Sequence, residues 1–147
     1  MNAGCSPALG PAPAGFTEIE HVADRAVRVW AGSAAGLFEQ AARAMFTLMA
    51  GDLSDVAPAH SHVITLDVAD LESALVDWLN ELLYWRETRR EMYSQFRVRL
   101  EDGKLYGEFA GSAGAPTAAV IKAATFHDLR IEQDSAGVWH ATITFDT

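Results

Sequence analysis

The sequence has a single cysteine, few basic residues and no long hydrophobic run. One cysteine excludes an internal disulfide framework and a cysteine-rich zinc site. The 147 residues hold 11 Lys and Arg against 20 Asp and Glu, a formal net charge of −9. Because binding to phosphate backbones and anionic membranes depends on clustered basic side chains, this balance argues against strong direct binding to nucleic acid or to a membrane.

Patterns for membrane insertion and secretion are also missing. No stretch of about 18 apolar residues occurs, and the first residues lack the basic and apolar regions of a signal peptide. Residues 1–14, which include Cys5, are rich in Ala, Pro and Gly, and we expect a flexible tail there. The sequence therefore predicts a cytoplasmic protein with one ordered domain over residues 15–147.

What the chain does contain is typical of a globular core, since half of its residues are hydrophobic. Apolar residues at three- and four-residue steps predict two helices, over residues 34–49 and 71–89, with Ser33 and Asp70 as N-caps. Alternating patterns predict strands over residues 16–20, 26–30, 62–68, 95–100, 105–109, 122–132 and 138–145. The expected class is α+β, a single domain with two helices packed on antiparallel-rich β-sheet.

Polar residues near the two ends of the predicted domain are candidates for function. His21 and Asp24 interrupt apolar sequence between the first two strands; such residues are most often turn or cap residues, and the alternative is a carboxylate held at a sheet end. Asp146 is the penultimate residue, where a solvated terminus is the ordinary interpretation. Because the alternating pattern continues to Phe145, we expect Asp146 to be ordered within the sheet.

Further candidates lie in the middle and last thirds of the chain. Lys122 stands in an apolar run, either as an edge-strand charge or as a functional cation. His127 is more often a core or surface histidine than a ligand. Asp77 and Glu81 share one flank of the second helix; such a pair can bind a cation, but more often it lies on a solvated face.

Recognisable enzyme motifs are absent, since the sequence has no HExxH, GxSxG or paired-cysteine pattern. His60 and His62 share a strand face, but a two-residue step alone is weak evidence for a metal site. From composition and spacing the chain is a globular acidic α+β domain with scattered polar candidates.

Five segments, taken in order, resemble the archease family. They are Phe16-x-x-Ile19-x-His21-x-Ala23-Asp24, Gly36-Leu-Phe-Glu-x-Ala-Ala-x-Ala-Met45, Leu75-x-x-Trp78-Leu-Asn-Glu-Leu-Leu-Tyr84, Ile121-Lys-Ala-x-Thr-Phe-His127 and the final Asp146. The resemblance covers about residues 15–147, the whole predicted domain.

The resemblance implies a small α+β protein related in fold to the Hsp33 chaperone. Archeases assist the RtcB-type RNA ligase, which seals RNA ends in tRNA splicing and RNA repair. They promote guanylylation of the ligase and its repeated turnover, and they are not themselves the ligase. The resemblance therefore implies a non-catalytic partner protein. It also implies a bound divalent cation, with calcium expected first and magnesium or manganese as alternatives.

Carried over by residue, the resemblance makes Asp24 and Asp146 the metal ligands and Lys122 the functional lysine. His21 and His127 match motif positions that are also implied to serve ligase activation. Two carboxylates without cysteine suit an oxygen-seeking cation such as Ca²⁺ or Mg²⁺. Asp24 and Asp146 can meet only if the first and last strands approach each other, so this site also tests the fold.

Glu81 matches the family pattern as a supporting residue, but neighbours of the implied metal ligands depart from it. Val22 stands where the family usually has Thr, Arg25 where it has an aliphatic residue, and Thr147 where it has Val or Ile. Arg25 could turn outward or pair with Asp24, and such a pair would lower the affinity for a metal.

Two other functions remain open at this point. The first is a metal-dependent hydrolase built on Asp24, Asp146, Lys122 and His127. The second is a chaperone-like binding module, which would need an exposed apolar patch.

Overall fold

The computed structural model describes residues 14–19 and 25–147. Within these ranges the chain forms two helices and eight strands, and the strands pair into two antiparallel sheets. The helices are α1 (Ala34–Ala50) and α2 (Leu71–Arg89), and a short 3-10 turn spans Leu53–Asp55. The strands are β1 (Gly15–Ile19), β2 (Arg25–Ala31), β3 (His60–Asp67), β4 (Glu91–Glu101), β5 (Lys104–Ala113), β6 (Ala123–Thr125), β7 (Ile131–Gln133) and β8 (Trp139–Asp146). The predicted α+β class is confirmed.

The larger sheet is built around β8. Its strands follow the order β1-β2-β8-β6, and β7 also pairs with β8. Arg25 lies opposite Phe145, so the second and last described strands run side by side. The smaller sheet has the order β3-β5-β4, and a two-residue hairpin at Asp102 and Gly103, both of which have positive φ, connects β4 to β5.

Both helices begin at their predicted caps. The Ser33 hydroxyl accepts a hydrogen bond from the Gly36 N–H at 3.0 Å, and Asp70 Oδ1 accepts one from the Ser73 N–H at 2.7 Å. Helix α1 contacts β2 and β8 of the larger sheet and β4 of the smaller one, so the core lies around it. Neither described helix is long and apolar enough to cross a membrane.

The fully buried Trp78 joins the two helices. Its indole N–H donates a hydrogen bond of 3.0 Å to the Phe38 carbonyl of α1, so burial of the large ring leaves its one polar group satisfied. Trp78 also packs edge-on against Phe109 of β5 at 6.3 Å between ring centroids. Trp78 is therefore a core residue that links α1, α2 and β5.

The prediction of one strand over residues 122–132 is wrong, because this stretch forms β6 and β7 with a turn between them. The Leu129 N–H bonds to the Phe126 carbonyl at 3.0 Å, and Asp128 has a φ of 53°. Aspartate tolerates this left-handed conformation better than most residues. The apolar composition on both sides of the turn hid it from the strand pattern.

A buried carboxylate ties the two outer strands of the smaller sheet together. Glu91 on β4 is 7% exposed, and its oxygens lie 2.6 Å from His60 Nδ1 and 2.8 Å from His62 Nε2, both on β3. The Tyr93 hydroxyl donates a third hydrogen bond at 3.0 Å. The middle strand places Gly111 opposite both His60 and Tyr93, so no side chain on β5 separates the two partners there.

This cluster makes the stability of the sheet depend on pH. Burial opposes ionisation of Glu91, but the hydrogen bonds from His62, His60 and Tyr93 outweigh it and hold the pKa of this carboxyl below its ordinary value of 4.5. A carboxyl with a lowered pKa in the folded state stabilises the fold above its ordinary pKa. That contribution is lost as the pH falls through the folded-state value.

We expect Glu91→Gln to lower the free energy of unfolding near neutral pH by about 1.5–3 kcal/mol, because the hydrogen bonds then lose their charged acceptor. The difference from the unsubstituted chain should shrink as the pH falls below about 4.5. Urea unfolding over a pH series measures both effects, with the exposed Glu87→Gln on α2 as the matched control. A difference that stays constant down to acidic pH would contradict the role given to the ionised carboxylate.

Candidate functional site

The end of β8 brings two candidate residues together. Asp146 is the last residue of β8 and lies opposite Ala123 of β6. The N–H of Lys122, the residue before Ala123, donates a hydrogen bond of 2.8 Å to the Asp146 carbonyl. Both Asp146 and Lys122 are exposed. The expectation that Asp146 is ordered within the sheet is confirmed, and an exposed carboxylate and an exposed ammonium are thus carried on adjoining main chain.

Strand β2 lies next to the end of β8, with Arg25 opposite Phe145. Arg25 opens that strand, and its guanidinium binds the Glu18 carboxylate of β1 at 2.8 and 3.1 Å. The side-chain hydrogen bond from Arg25 lowers the pKa of Glu18, with the charge of the guanidinium adding to the effect. The described partner of Arg25 is therefore Glu18. The predictions for His21 and Asp24 concern positions outside the described residues.

Helix α2 fastens the segment that carries Lys122 and His127, residues 117–131. Four hydrogen bonds attach it at three places. Arg86 Nη2 donates to the Thr117 hydroxyl at 2.8 Å, Asn80 makes two bonds to the Ala124 main chain, and the Ile131 N–H donates to Glu72 Oε2 at 3.1 Å. Since the helix positions run 86, 80, 72 while the segment positions run 117, 124, 131, the segment lies antiparallel to α2. It is held at both ends and in the middle.

Asn80 makes the central attachment. Its Nδ2 donates to the Ala124 carbonyl at 3.2 Å, and its Oδ1 accepts from the Ala124 N–H at 2.8 Å. Ala124 is the middle residue of β6, two positions after Lys122. Asn80 is therefore a positioning residue for the site, a role that sequence reasoning missed. The available signal was its place in the archease-like segment of α2.

The described contacts of the Glu81 and His127 side chains are with residues other than Asp146. Glu81 Oε2 accepts a hydrogen bond from the Trp85 indole at 3.2 Å, and Glu81 lines a depression of about 500 Å³ with Asp77 and Asn80. His127 is exposed, with Nε2 3.2 Å from Asp128 Oδ2. Over residues 14–19 and 25–147, no hydrogen bond or ion pair joins either side chain to Asp146.

The metal-ligand chemistry of this site is incomplete in the described part of the chain. Among those residues, no group of three or more His, Cys, Asp or Glu side chains is arranged to hold a metal ion. Asp146 contributes one hard carboxylate, and the second implied ligand, Asp24, is outside the described ranges. His60 and His62 bind Glu91, consistent with the low weight given to their spacing as a metal signal.

Comparison of the sequence with known proteins gives one consistent result. The model of the archease protein family matches residues 16–147. A protein named "Protein archease" from Methanopyrus kandleri is 35% identical over 139 residues, covering 89% of this chain and 98% of that protein. One from Methanosarcina acetivorans is 35% identical over 140 residues, covering 89% of this chain and 94% of its own.

Solved structures agree with the sequence comparison. The solution structure of a Methanobacterium thermoautotrophicum protein has a TM-score of 0.81 and 31% identity, and the match covers 90% of this chain and 99% of that one. A Thermotoga maritima crystal structure, described as "an archease, possible chaperone", has a TM-score of 0.63 and 24% identity, covering 88% and 94%. The second similarity concerns the fold alone.

We expect Asn80→Ala to loosen β6, because it removes both hydrogen bonds to Ala124 and leaves that peptide N–H and C=O without their side-chain partner. The free energy of unfolding should fall by about 1–3 kcal/mol, and amide hydrogen exchange at residues 123–125 should accelerate more than in β2. The exposed Gln95→Ala on β4 is the matched control. Unchanged exchange at residues 123–125 would contradict the positioning role of Asn80.

Proposed function

This chain belongs to the archease family, and we propose that it is a non-catalytic partner protein that activates an RtcB-type RNA ligase. In this proposal it promotes guanylylation of the ligase and its repeated turnover in tRNA splicing and RNA repair. The observation that carries the proposal is the hydrogen bond of 2.8 Å between the Lys122 N–H and the Asp146 carbonyl. It sets the implied functional lysine beside an implied metal ligand.

The surroundings of Lys122 support a role in contacting another protein. Lys122 and Asp146 are exposed, yet their main chain is held by β8 and by the Asn80 attachment to Ala124. Because this main chain is already held, little further backbone entropy is lost when a partner binds the two charged groups that it carries. The net charge of −9 is consistent with an RNA-processing role exercised through a protein rather than by gripping RNA directly.

We propose further that Asp24 and Asp146 hold a divalent cation, with Ca²⁺ first and Mg²⁺ or Mn²⁺ as alternatives. Asp24 precedes Arg25 in the chain, and Asp146 follows Phe145, the pairing partner of Arg25. Asp24 and Asp146 are thus each one residue along the chain from a member of the Arg25–Phe145 pair. Two carboxylates brought close together repel each other, and a bound cation supplies the positive charge that relieves this repulsion.

We expect Asp146→Asn to weaken binding of Ca²⁺ at least tenfold in calorimetric titration, since it removes one of two charged ligands. The same substitution should change the free energy of unfolding in chelator by no more than about 0.5 kcal/mol, because the side chain is exposed. The exposed Asp55→Asn provides the control for loss of charge. Unchanged Ca²⁺ affinity in Asp146→Asn would contradict the ligand assignment, and loss of folding in chelator would make Asp146 a structural residue instead.

We expect the unsubstituted protein to raise the yield of the ligase–GMP adduct and the number of ligation turnovers when it is added to its cognate purified ligase. Asp24→Ala, Asp146→Asn and Lys122→Met should each lose most of this stimulation, because each removes one charged group of the site. Gel analysis of labelled adduct and of sealed RNA measures both steps. Arg43→Gln, an exposed change on α1, should stimulate normally. No stimulation by the unsubstituted protein would refute the proposed function.

Neither alternative function has comparable support. A chaperone-like module needs a continuous exposed apolar patch, whereas the large exposed hydrophobic residues of the described ranges are dispersed over β3, α2 and the two sides of β6: Val63, Tyr84, Val120 and Phe126. A metal-dependent hydrolase built on Asp24, Asp146, Lys122 and His127 needs His127 at the reacting group, whereas the described contact of His127 Nε2 is with Asp128 Oδ2 at 3.2 Å. Activation of an RNA ligase therefore remains the function that the site supports best.

A further inference from the structure

A depression of about 570 Å³ lies along β7 and β8, on a part of the larger sheet away from the Lys122 and Asp146 charges. Its lining includes Arg28 of β2, Thr142 and His140 of β8, Glu132 of β7, and Arg130. Buried Val27 and Val29 flank Arg28 along β2. Because side chains alternate along a strand, Arg28 therefore points to the face of the sheet opposite the core.

The strand register places two arginines on either side of Thr142. Arg28 is the pairing partner of Thr142 across β2 and β8. On the other edge of β8, Ile131 pairs with Ala141, so Arg130, one residue earlier, lies beside Thr142. Adjacent strands are about 4.8 Å apart, which separates the two arginine Cα atoms by about 10 Å. Two extended arginine side chains can span that gap and meet on one bound group.

The two arginines of this depression keep their N–H donors available, although two carboxylates belong to the same lining. In the described ranges, neither Arg28 nor Arg130 forms an ion pair within 4.0 Å, since the pairs there involve other residues. His140 Nε2 is bound to Asp134 Oδ2 at 2.8 Å, which orients its ring. Glu132, opposite His140 in the register, brings a carboxylate into the same depression. The lining thus combines the guanidinium groups of Arg28 and Arg130, the Thr142 hydroxyl and the Glu132 carboxylate.

We propose that this depression binds a nucleotide, with Arg28, Arg130 and Thr142 holding the phosphate. Guanidinium groups bind phosphate oxygens through paired N–H donors, and the Thr142 hydroxyl adds a third donor between them. Glu132 accepts a hydrogen bond from a ribose hydroxyl or a base amino group. The volume falls within the range of small-molecule sites, about 300–1,000 Å³. This proposal is independent of the ligase-activation proposal.

The carboxylates in the lining set the selectivity. Asp128 and Glu132 offset the two arginine charges, so a bare phosphate ion gains little net electrostatic attraction. A nucleoside satisfies Glu132 but leaves the guanidinium forks without a partner. Only a ligand that joins a phosphate to hydrogen-bond donors satisfies both sets of groups, and we therefore expect a nucleoside monophosphate to bind better than either of its parts.

Calorimetric titration of the full chain tests the proposal with adenosine and guanosine 5′-monophosphates, the two nucleosides and inorganic phosphate. The nucleotides should bind at least tenfold more tightly than the nucleosides or phosphate. Arg28→Gln and Arg130→Gln should each weaken nucleotide binding at least fivefold, and the double variant should abolish it. Arg43→Gln on α1 should bind as the unsubstituted chain does. Arg28→Lys, which keeps the charge and loses the fork, should be intermediate.

Thermal unfolding of each variant separates loss of binding from loss of fold, and Arg28→Lys replaces Arg28→Gln if the latter does not fold. The proposal is overturned if no nucleotide binds up to millimolar concentration, or if the Arg28 and Arg130 variants bind as well as the unsubstituted chain. Phosphate binding as tight as nucleotide binding would also overturn it. So would an RNA oligonucleotide without a terminal phosphate that binds at Arg28 while the mononucleotides do not, since that outcome indicates recognition of a polynucleotide backbone.

Discussion

The pairing of β8 with strands on both of its edges is the constraint on which the rest of the structure depends. β2 occupies one edge, and β6 and β7 share the other. Distant parts of the chain therefore meet on a single strand. The proposed cation site at Asp146 and the proposed nucleotide site at Thr142 both lie along β8, on successive stretches of it. The nucleotide site also draws Arg28 from β2, a strand that is far from β8 in the sequence.

Helix α2 holds the segment of the larger sheet that carries the exposed Lys122. Its buried face, centred on Trp78, is anchored in the core, while Glu72, Asn80 and Arg86 reach the segment that includes β6. The three side chains bind main-chain groups or a hydroxyl, so they hold the path of the segment and leave Lys122 free of them. One face of α2 thereby contributes to the core, and other residues of the same helix position the segment that carries Lys122.

Patterns in the sequence were sufficient for the helices and most strands, because hydrophobic periodicity and capping act over a few residues. Ser33 and Asp70 cap as expected, and the last strand includes Asp146. The break at Asp128 was not predictable in the same way, since apolar residues lie on both sides of it. The bonds of Asn80 to Ala124 and of Glu91 to His60 span many positions, and no local pattern encodes which partner a polar side chain will meet.

The glycine in the middle strand of the smaller sheet has a consequence for how that sheet tolerates change. A side-chain carbon at Gly111 would lie 1.8 Å from the Met92 carbonyl oxygen, and Gly111 also stands between His60 and Tyr93. All three atoms nearest to that added carbon belong to the main chain of Met92 and Tyr93 on β4. A change of side-chain rotamer cannot move main-chain atoms, so any side chain at position 111 would have to push β4 away from β5 at the register that holds the Glu91 cluster. A remodelled polar cluster would not make room for it, and position 111 is therefore restricted to glycine by the main chain itself.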